Sequence, residues 1–183
     1  MNNPVLDSLV IRAAKPDDFE AISAIYEHHV LLGTGSFEIT PPSSEEMLKR
    51  FEQVNSFGGV YLVAELDDTV VGYAYAALYN TREAYFNTVT DSIYVHPQAQ
   101  GNGIGKALLM QLIKECEEKG FRQMIAVIGD SQNLASQNLH KHCGFSKIGV
   151  LHAVGYKFDQ WLDSVLMQRP LGKGSQSSPT RKE

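Results

Sequence analysis

The chain has 183 residues, enough for one domain with a sizeable core. Hydrophobic residues make up 43% and charged residues 20%, the balance of a soluble globular protein, and a formal net charge of -5 without a basic stripe argues against a nucleic-acid partner. No apolar run is long enough for a membrane span, and the N-terminus lacks a charged start followed by an apolar run, so neither a membrane anchor nor a secretory signal is expected.

In chain order, residues 10–13 read as a short first strand. Asp17 is a candidate N-cap for a helix in which Phe19, Ile22, Ile25 and Tyr26 recur at helical spacing and which fades near Leu32-Gly33. Residues 34–38 are a loop. A second helix opens at Pro41-Pro42-Ser43-Ser44-Glu45-Glu46, with Met47, Leu48 and Phe51 facing inward. Residues 60–65 and 70–79 are strands joined by an Asp67-Asp68 hairpin, and 87–95 is a further strand. The longest helix spans 103–119, with Ile104, Leu108, Leu112 and Cys116 in one stripe, Leu109 and Ile113 beside it, and Gly120 as the stop. Residues 124–128 form an apolar strand of the buried kind, 134–142 a shorter helix, and 145–151 and 158–168 the last two strands. Residues 172–183 are polar and read as a disordered tail after a single domain covering 1–171. The order is β-α-α-β-β-β-α-β-α-β-β. It predicts an α/β (α+β) protein with a mixed central sheet of about seven strands and helices on both faces. Cys116 reads as a buried thiol and the chain as cytoplasmic; neither it nor Cys143 belongs to a CxxC pair or a metal cluster. His28-His29 lack further ligands, so no metal is expected.

The most informative stretch is Val95-His96-Pro97-Gln98-Ala99-Gln100-Gly101-Asn102-Gly103-Ile104-Gly105-Lys106. A strand ends, a proline stops it, and three glycines at alternate positions open a helix. Glycines admit left-handed backbone and close approach of a ligand. The unpaired N–H groups of the first helical turn and the helix dipole then favour a pyrophosphate. The spacing differs from the GxGxxG of dinucleotide folds, and Ala107 stands where a nucleoside-triphosphatase loop needs Ser or Thr.

Gln100-x-x-Gly103-x-Gly105 resembles the Q/R-x-x-G-x-G/A signature of the GNAT superfamily of N-acetyltransferases, and the likeness extends over residues 10–171. Thr34-Gly35-Ser36-Phe37-Glu38, Asp91-Ser92-Ile93-Tyr94-Val95-His96-Pro97, Ala126-Val127-Ile128-Gly129 and the run from Gly155 to Asp163 are similar to the branch containing the phosphinothricin and methionine sulfoximine acetyltransferases. The resemblance implies the GNAT fold, acetyl-CoA as cofactor and a small-molecule amine as acceptor. It also implies a homodimer. Amides of Gly101, Asn102, Gly103, Ile104, Gly105 and Lys106 are then expected on the pyrophosphate. The backbone of Ile93, Tyr94 and Val95 is expected along the pantetheine arm, with Asn133 and Ser136 beside it.

Acetyl transfer needs a neutral amine, a donor for the oxyanion and an acid for the departing thiolate. The Val95 N–H is the oxyanion candidate. Relatives often carry a glutamate base where Thr90 stands. Asp91, next to it, points to the other face of a regular strand and inherits that role only if a bulge turns it. Asp91 is therefore a base or water holder, or else a structural or substrate-orienting group. His140 stands where many family members have an acidic tyrosine, and is either the acid or a hydrogen-bonding histidine. His142 reads as surface. For the acceptor, the branch points to Arg82 and Tyr85, to Phe37 and Glu38 of the N-terminal loop, and to Tyr156 and Lys157 at the opening of the last hairpin. Trp161 reads as packing. Other amines (a protein N-terminus, a polyamine, an aminoglycoside) and a silent acyl-CoA sensor remain as alternative readings.

Overall fold

The computed structural model describes residues 4–180. The end of the expected tail, residues 181–183, lies outside the described residues. A one-turn helix α1 (Pro4–Asp7), which no sequence signal announced, precedes strand β1 (Val10–Ala13). Then come α2 (Phe19–Leu32), α3 (Ser44–Ser56), β2 (Val60–Leu66), β3 (Thr69–Leu78), β4 (Thr88–Val95), α4 (Ile104–Glu118), β5 (Gln123–Gly129), α5 (Leu134–His142), β6 (Ser146–Lys157) and β7 (Gln160–Pro170). The seven strands form one sheet in the order β1-β2-β3-β4-β5-β7-β6. Only β4 and β5 run parallel; the other neighbours are antiparallel.

The period-two pattern of the strands sorts two cores. Val60, Leu62, Ala74, Ala76 and Val89 face one side, where Leu108, Leu109, Leu112 and Ile113 of α4 and Phe145 beyond α5 cover them. Tyr61, Val63 and Tyr73 face the other side, under Ile22, Ile25, Tyr26 and Val30 of α2 and Met47 and Val54 of α3. The helical stripe read along α4, Cys116 included, is buried throughout. Asp67 and Asp68 both take left-handed backbone, as a two-residue hairpin requires.

Three local expectations are corrected. Asp17 is exposed and does not cap α2. Asp18 is the acid turned inward, accepting from the Lys15 amide at 2.8 Å and from both terminal nitrogens of Arg12 at 2.7 Å. The sixth strand does not stop at Leu151. It runs to Lys157 through a register shift between Leu151 and Gly155, and the hairpin turns at Phe158 and Asp159, both left-handed. Trp161 is 67% exposed and stacks edge-on against Tyr156, so it packs no core. Within the expected tail, residues 172–177 carry turns, and Arg122 donates to the carbonyls of Gly174 and Ser177.

Candidate active site

Strands β4 and β5 pair only where residues 88–91 meet 123–126. Beyond Asp91 they part, because β4 stays with β3 as far as Val95 and β5 stays with β7 as far as Gly129. Backbone direction along β4 can be read from its flanks. The Tyr79 amide donates to the Thr88 carbonyl and the His96 amide to the Val71 carbonyl. Even-numbered residues of β4 therefore spend their backbone groups on β3, while Asp91, Ile93 and Val95 turn theirs toward β5. Past the pairing, Ile93 and Val95 present an unpaired strand edge to the gap. Tyr94, expected to share that edge, bonds toward β3 and contributes its ring instead, at 5.3 Å from His29.

The gap continues into a cleft of about 600 Å³ lined by Asp91, Ile93, Val95, the glycine turn, Asn133, Ser136 and His140. Gly101 and Gly103 are left-handed, at φ 80 and 85, so the turn depends on their lack of a Cβ. No atom lies within 4 Å of where a Cβ on Gly101 would stand. Gly103 starts α4 without a side-chain cap. The first helical bond there is from the Ala107 amide to the Gly103 carbonyl. The amides of Ile104, Gly105 and Lys106 thus precede the helical ladder and face outward with the positive end of the dipole. At the strand end, the Val95 carbonyl accepts from His29 Nε2 at 2.9 Å and from Gln100 Nε2 at 3.2 Å. Burial lowers the His29 pKa; the Val95 carbonyl pulls the other way, and His28 and His96 push it down further.

Asp91 and His140, read separately from the sequence, meet. His140 Nε2 lies 2.8 Å from Asp91 Oδ2, with the residues 8% and 4% exposed. His140 Nδ1 lies 2.8 Å from the Ser136 carbonyl, which only accepts, so Nδ1 carries a proton. The Nε2–Asp91 contact needs a second proton, since a bare ring nitrogen and a carboxylate would repel. With that proton on the ring the pair is an imidazolium–carboxylate, the form that the Asp91 charge favours. Burial alone lowers the His140 pKa, but the hydrogen bond and charge of Asp91, helped by the Ser136 carbonyl, raise it overall. Asp91 Oδ1 is buried with no hydrogen-bond partner among the described residues. No register shift interrupts β4. Asp91 therefore stays on the α4 face and Thr90 on the opposite one.

Ser136 and Asn133 stand beside the pair. Asn133 Oδ1 caps α5 by accepting from the Ser136 amide at 3.2 Å, and its Nδ2 faces Gly35 across the cleft. The residues assigned to the acceptor line no part of this cleft. Arg82 and Tyr85 sit in the loop before β4, where Tyr85 packs on Tyr79. Glu38 accepts from Tyr26 at 3.1 Å and from Arg50 at 2.6 Å, Arg50 being a partner the sequence did not suggest. Phe37 lies over Gly129 and Gly155. Tyr156 is exposed beside Trp161. Lys157 is only 5% exposed and donates to the carbonyls of Gly33 and Ser36.

A parted parallel strand pair ending at a glycine turn, with a buried acid pair in the gap, defines an acyltransferase of mixed α/β architecture. The chain belongs to the acetyltransferase (GNAT) family, whose profile matches residues 19–145. It is 51% identical to a phosphinothricin N-acetyltransferase of Alcaligenes faecalis over 92% of this chain and 86% of that one. It is 37% identical to an L-methionine sulfoximine/L-methionine sulfone acetyltransferase of Salmonella typhimurium, over 89% and 95% of the two chains. Among solved structures, a phosphinothricin acetyltransferase from Sinorhizobium meliloti in complex with AcCoA superposes with a TM-score of 0.92 at 45% identity, covering 94% of each chain.

Proposed function

We propose that the chain acetylates the amino group of a small amino-acid-like acceptor, of the phosphinothricin or methionine sulfoximine kind, using acetyl-CoA. The observation that carries this reading is the unpaired edge of Ile93 and Val95 running into the glycine turn. A pantetheine arm is a chain of amides that fits a strand edge, and a pyrophosphate fits the outward amides from Gly101 to Lys106.

Acetyl-CoA supplies a thioester carbonyl and a sulfur leaving group that must be protonated. The Val95 N–H is assigned to the carbonyl oxygen, with His29 and Gln100 fixing the following peptide. His140 is assigned to protonate the sulfur; its Nε2 proton rests against Asp91, which raises the ring's hold on it, and must swing from that carboxylate to the sulfur to be delivered. The proton lost by the acylated amine passes to water on the acceptor side, and the Asp91–His140 pair regains its own proton from the solvent of the cleft that it lines. The acceptor is assigned to the face of Thr90 and Ser92, with Phe37 and Glu38 at its rim and Arg82 and Tyr85 at its entrance. The cofactor, α4 and α5 take up the opposite face.

Pairing of two chains is also proposed, through the outer edge of β6 and its hairpin. There Leu151, Val154 and Tyr156 of the edge strand, Phe158 of its turn and Trp161 at the start of β7 are exposed. Two free buried thiols suit a reducing cytoplasm, and no helix among the described residues is long and apolar enough to cross a membrane. The function is tested by acetyl-CoA binding, seen as a rise in Tm, and by thiol release over a panel of amino acids, polyamines, aminoglycosides and peptide N-termini. Turnover confined to the amino acids is expected. Turnover confined to another class, or binding without turnover, contradicts the reading.

A further inference from the structure

Residues 33–38 leave the end of α2 and cross the open end of the β4–β5 gap as a strap. Thr34 Oγ1 donates to Asp130 Oδ2 at 2.7 Å, tying the strap to the end of β5. Ser36 Oγ and Tyr26 OH share a hydrogen bond of 2.9 Å, tying it back to α2. The Phe37 ring fills a notch made by two glycines. A Cβ on Gly129 would stand 2.8 Å from the ring and 2.6 Å from the Thr34 carbonyl oxygen, and a Cβ on Gly155 would overlap the ring outright. Between these ties sits Lys157. Its Nζ donates to the Gly33 carbonyl at 2.8 Å and the Ser36 carbonyl at 2.7 Å.

Burying an ammonium against neutral carbonyls is costly, and burial does lower the Lys157 pKa, with only the charge of Glu38 opposing. A methionine would fill the same space at less cost, but it has no donors. The ammonium, with donors to spare, is suited to holding two carbonyls three residues apart at once. One side of the strap, at Gly33, Thr34 and Gly35, lines the cofactor cleft, and the strap then continues into Phe37 and Glu38.

We propose that Lys157 is a positioning residue for acceptor binding. By fixing the strap it sets the width of the opening through which the amine reaches the thioester, and so it decides which acceptors fit. The inference rests on the acetyl-transfer reading given above.

The test compares Lys157→Met, Lys157→Gln and Gly155→Ala with the parent chain. Gly155→Ala pushes Phe37 from the other side of the strap and leaves the ammonium in place. In Lys157→Met and Gly155→Ala the acceptor KM is expected to rise about tenfold, roughly one good positioning contact. Both kcat and the acetyl-CoA affinity, measured by calorimetry, should stay within about twofold of the parent. Lys157→Gln keeps a donor and should recover part of the loss. Amide hydrogen exchange at residues 34–37, which needs no turnover, should quicken in Lys157→Met. Unchanged exchange overturns the clamp. An unchanged acceptor KM in the folded variants, or acetyl-CoA affinity falling in step with it, overturns the specificity role. If Lys157→Met does not fold, exchange at residues 34–37 and the acceptor KM of Lys157→Gln decide. A parent chain that releases no thiol with any amino acid defeats the functional reading, and the exchange experiment still judges the strap.

Discussion

His140 bonds through both ring nitrogens, Nδ1 to the Ser136 carbonyl at 2.8 Å with the Ser136 hydroxyl at 3.4 Å, and Nε2 to Asp91 at 2.8 Å. Asp91 raises the ring's pKa against the cost of burial and so favours its doubly protonated form. Titratable groups that feel the Asp91 charge include Cys116 of α4, pushed up to about 12 by burial and that charge, Cys143, raised by burial against the pull of Lys106 and Arg169, and Tyr75, raised by burial. Both thiols stay neutral, so Asp91 is the group that sets the pair. In the proposed reaction the acid form of His140 is the useful one, so kcat should fall as pH rises through its raised pKa. Asp91→Asn removes the carboxylate and leaves burial, so that fall should move to lower pH, with kcat at neutral pH down about tenfold or more. A pH profile of kcat checks this, and a ring NMR titration reads the same shift without turnover. A linked stability effect has the same sign. The stabilisation that His140 gains from Asp91 is fully present below its ordinary value of 6.5 and is lost as pH rises through the raised folded value. At this scale the sequence was only half legible. Both residue types stood out, but 49 positions separate them, and no local pattern announces that β4 and α5 bring them to 2.8 Å. Lys157 stands at the opening of the last hairpin, as its sequence position suggests, but its partners are not legible there. The Gly33 and Ser36 carbonyls that it holds lie 124 and 121 positions away, and no local pattern announces them.

At the scale of elements, local signals carried most of the architecture. The α4 stripe and glycine stop, the Asp67-Asp68 hairpin and the 134–142 helix all appear where periodicity and capping chemistry put them. What periodicity does not encode is where two strands part, since that depends on which neighbour each one keeps. The glycine turn exists because they part. Gly103→Glu should abolish the Tm rise with acetyl-CoA. A glutamate there strains a left-handed backbone at φ 85, presses on Leu6 of α1 and sets a negative charge where phosphate is expected. An undiminished rise would remove the turn from the cofactor site. Deep in α4, Leu112→Ala should cost roughly 2–5 kcal/mol by chemical denaturation, because the side chain is fully buried under β2 and β3.

For the whole molecule, the sheet divides the labour. The face under α4 and α5 carries the glycine turn and the Asp91–His140 pair. The face under α2 and α3 carries Thr90, Ser92 and the Glu38–Arg50–Tyr26 cluster. A thioester lying in the gap is reachable from both. The far edge of the sheet leaves aromatic and aliphatic side chains on β6 and its hairpin in solvent. Phe158→Asp combined with Trp161→Glu should turn a dimer into a monomer by sedimentation at micromolar concentration, and a parent chain that is already monomeric there contradicts the pairing. Acetyl transfer to an amino-acid-like amine is tested most directly by timed thiol release from acetyl-CoA, with and without phosphinothricin or methionine sulfoximine. Release that appears only with the amine and saturates with its concentration is the predicted result. Release that is absent, or equal without the amine, would contradict it.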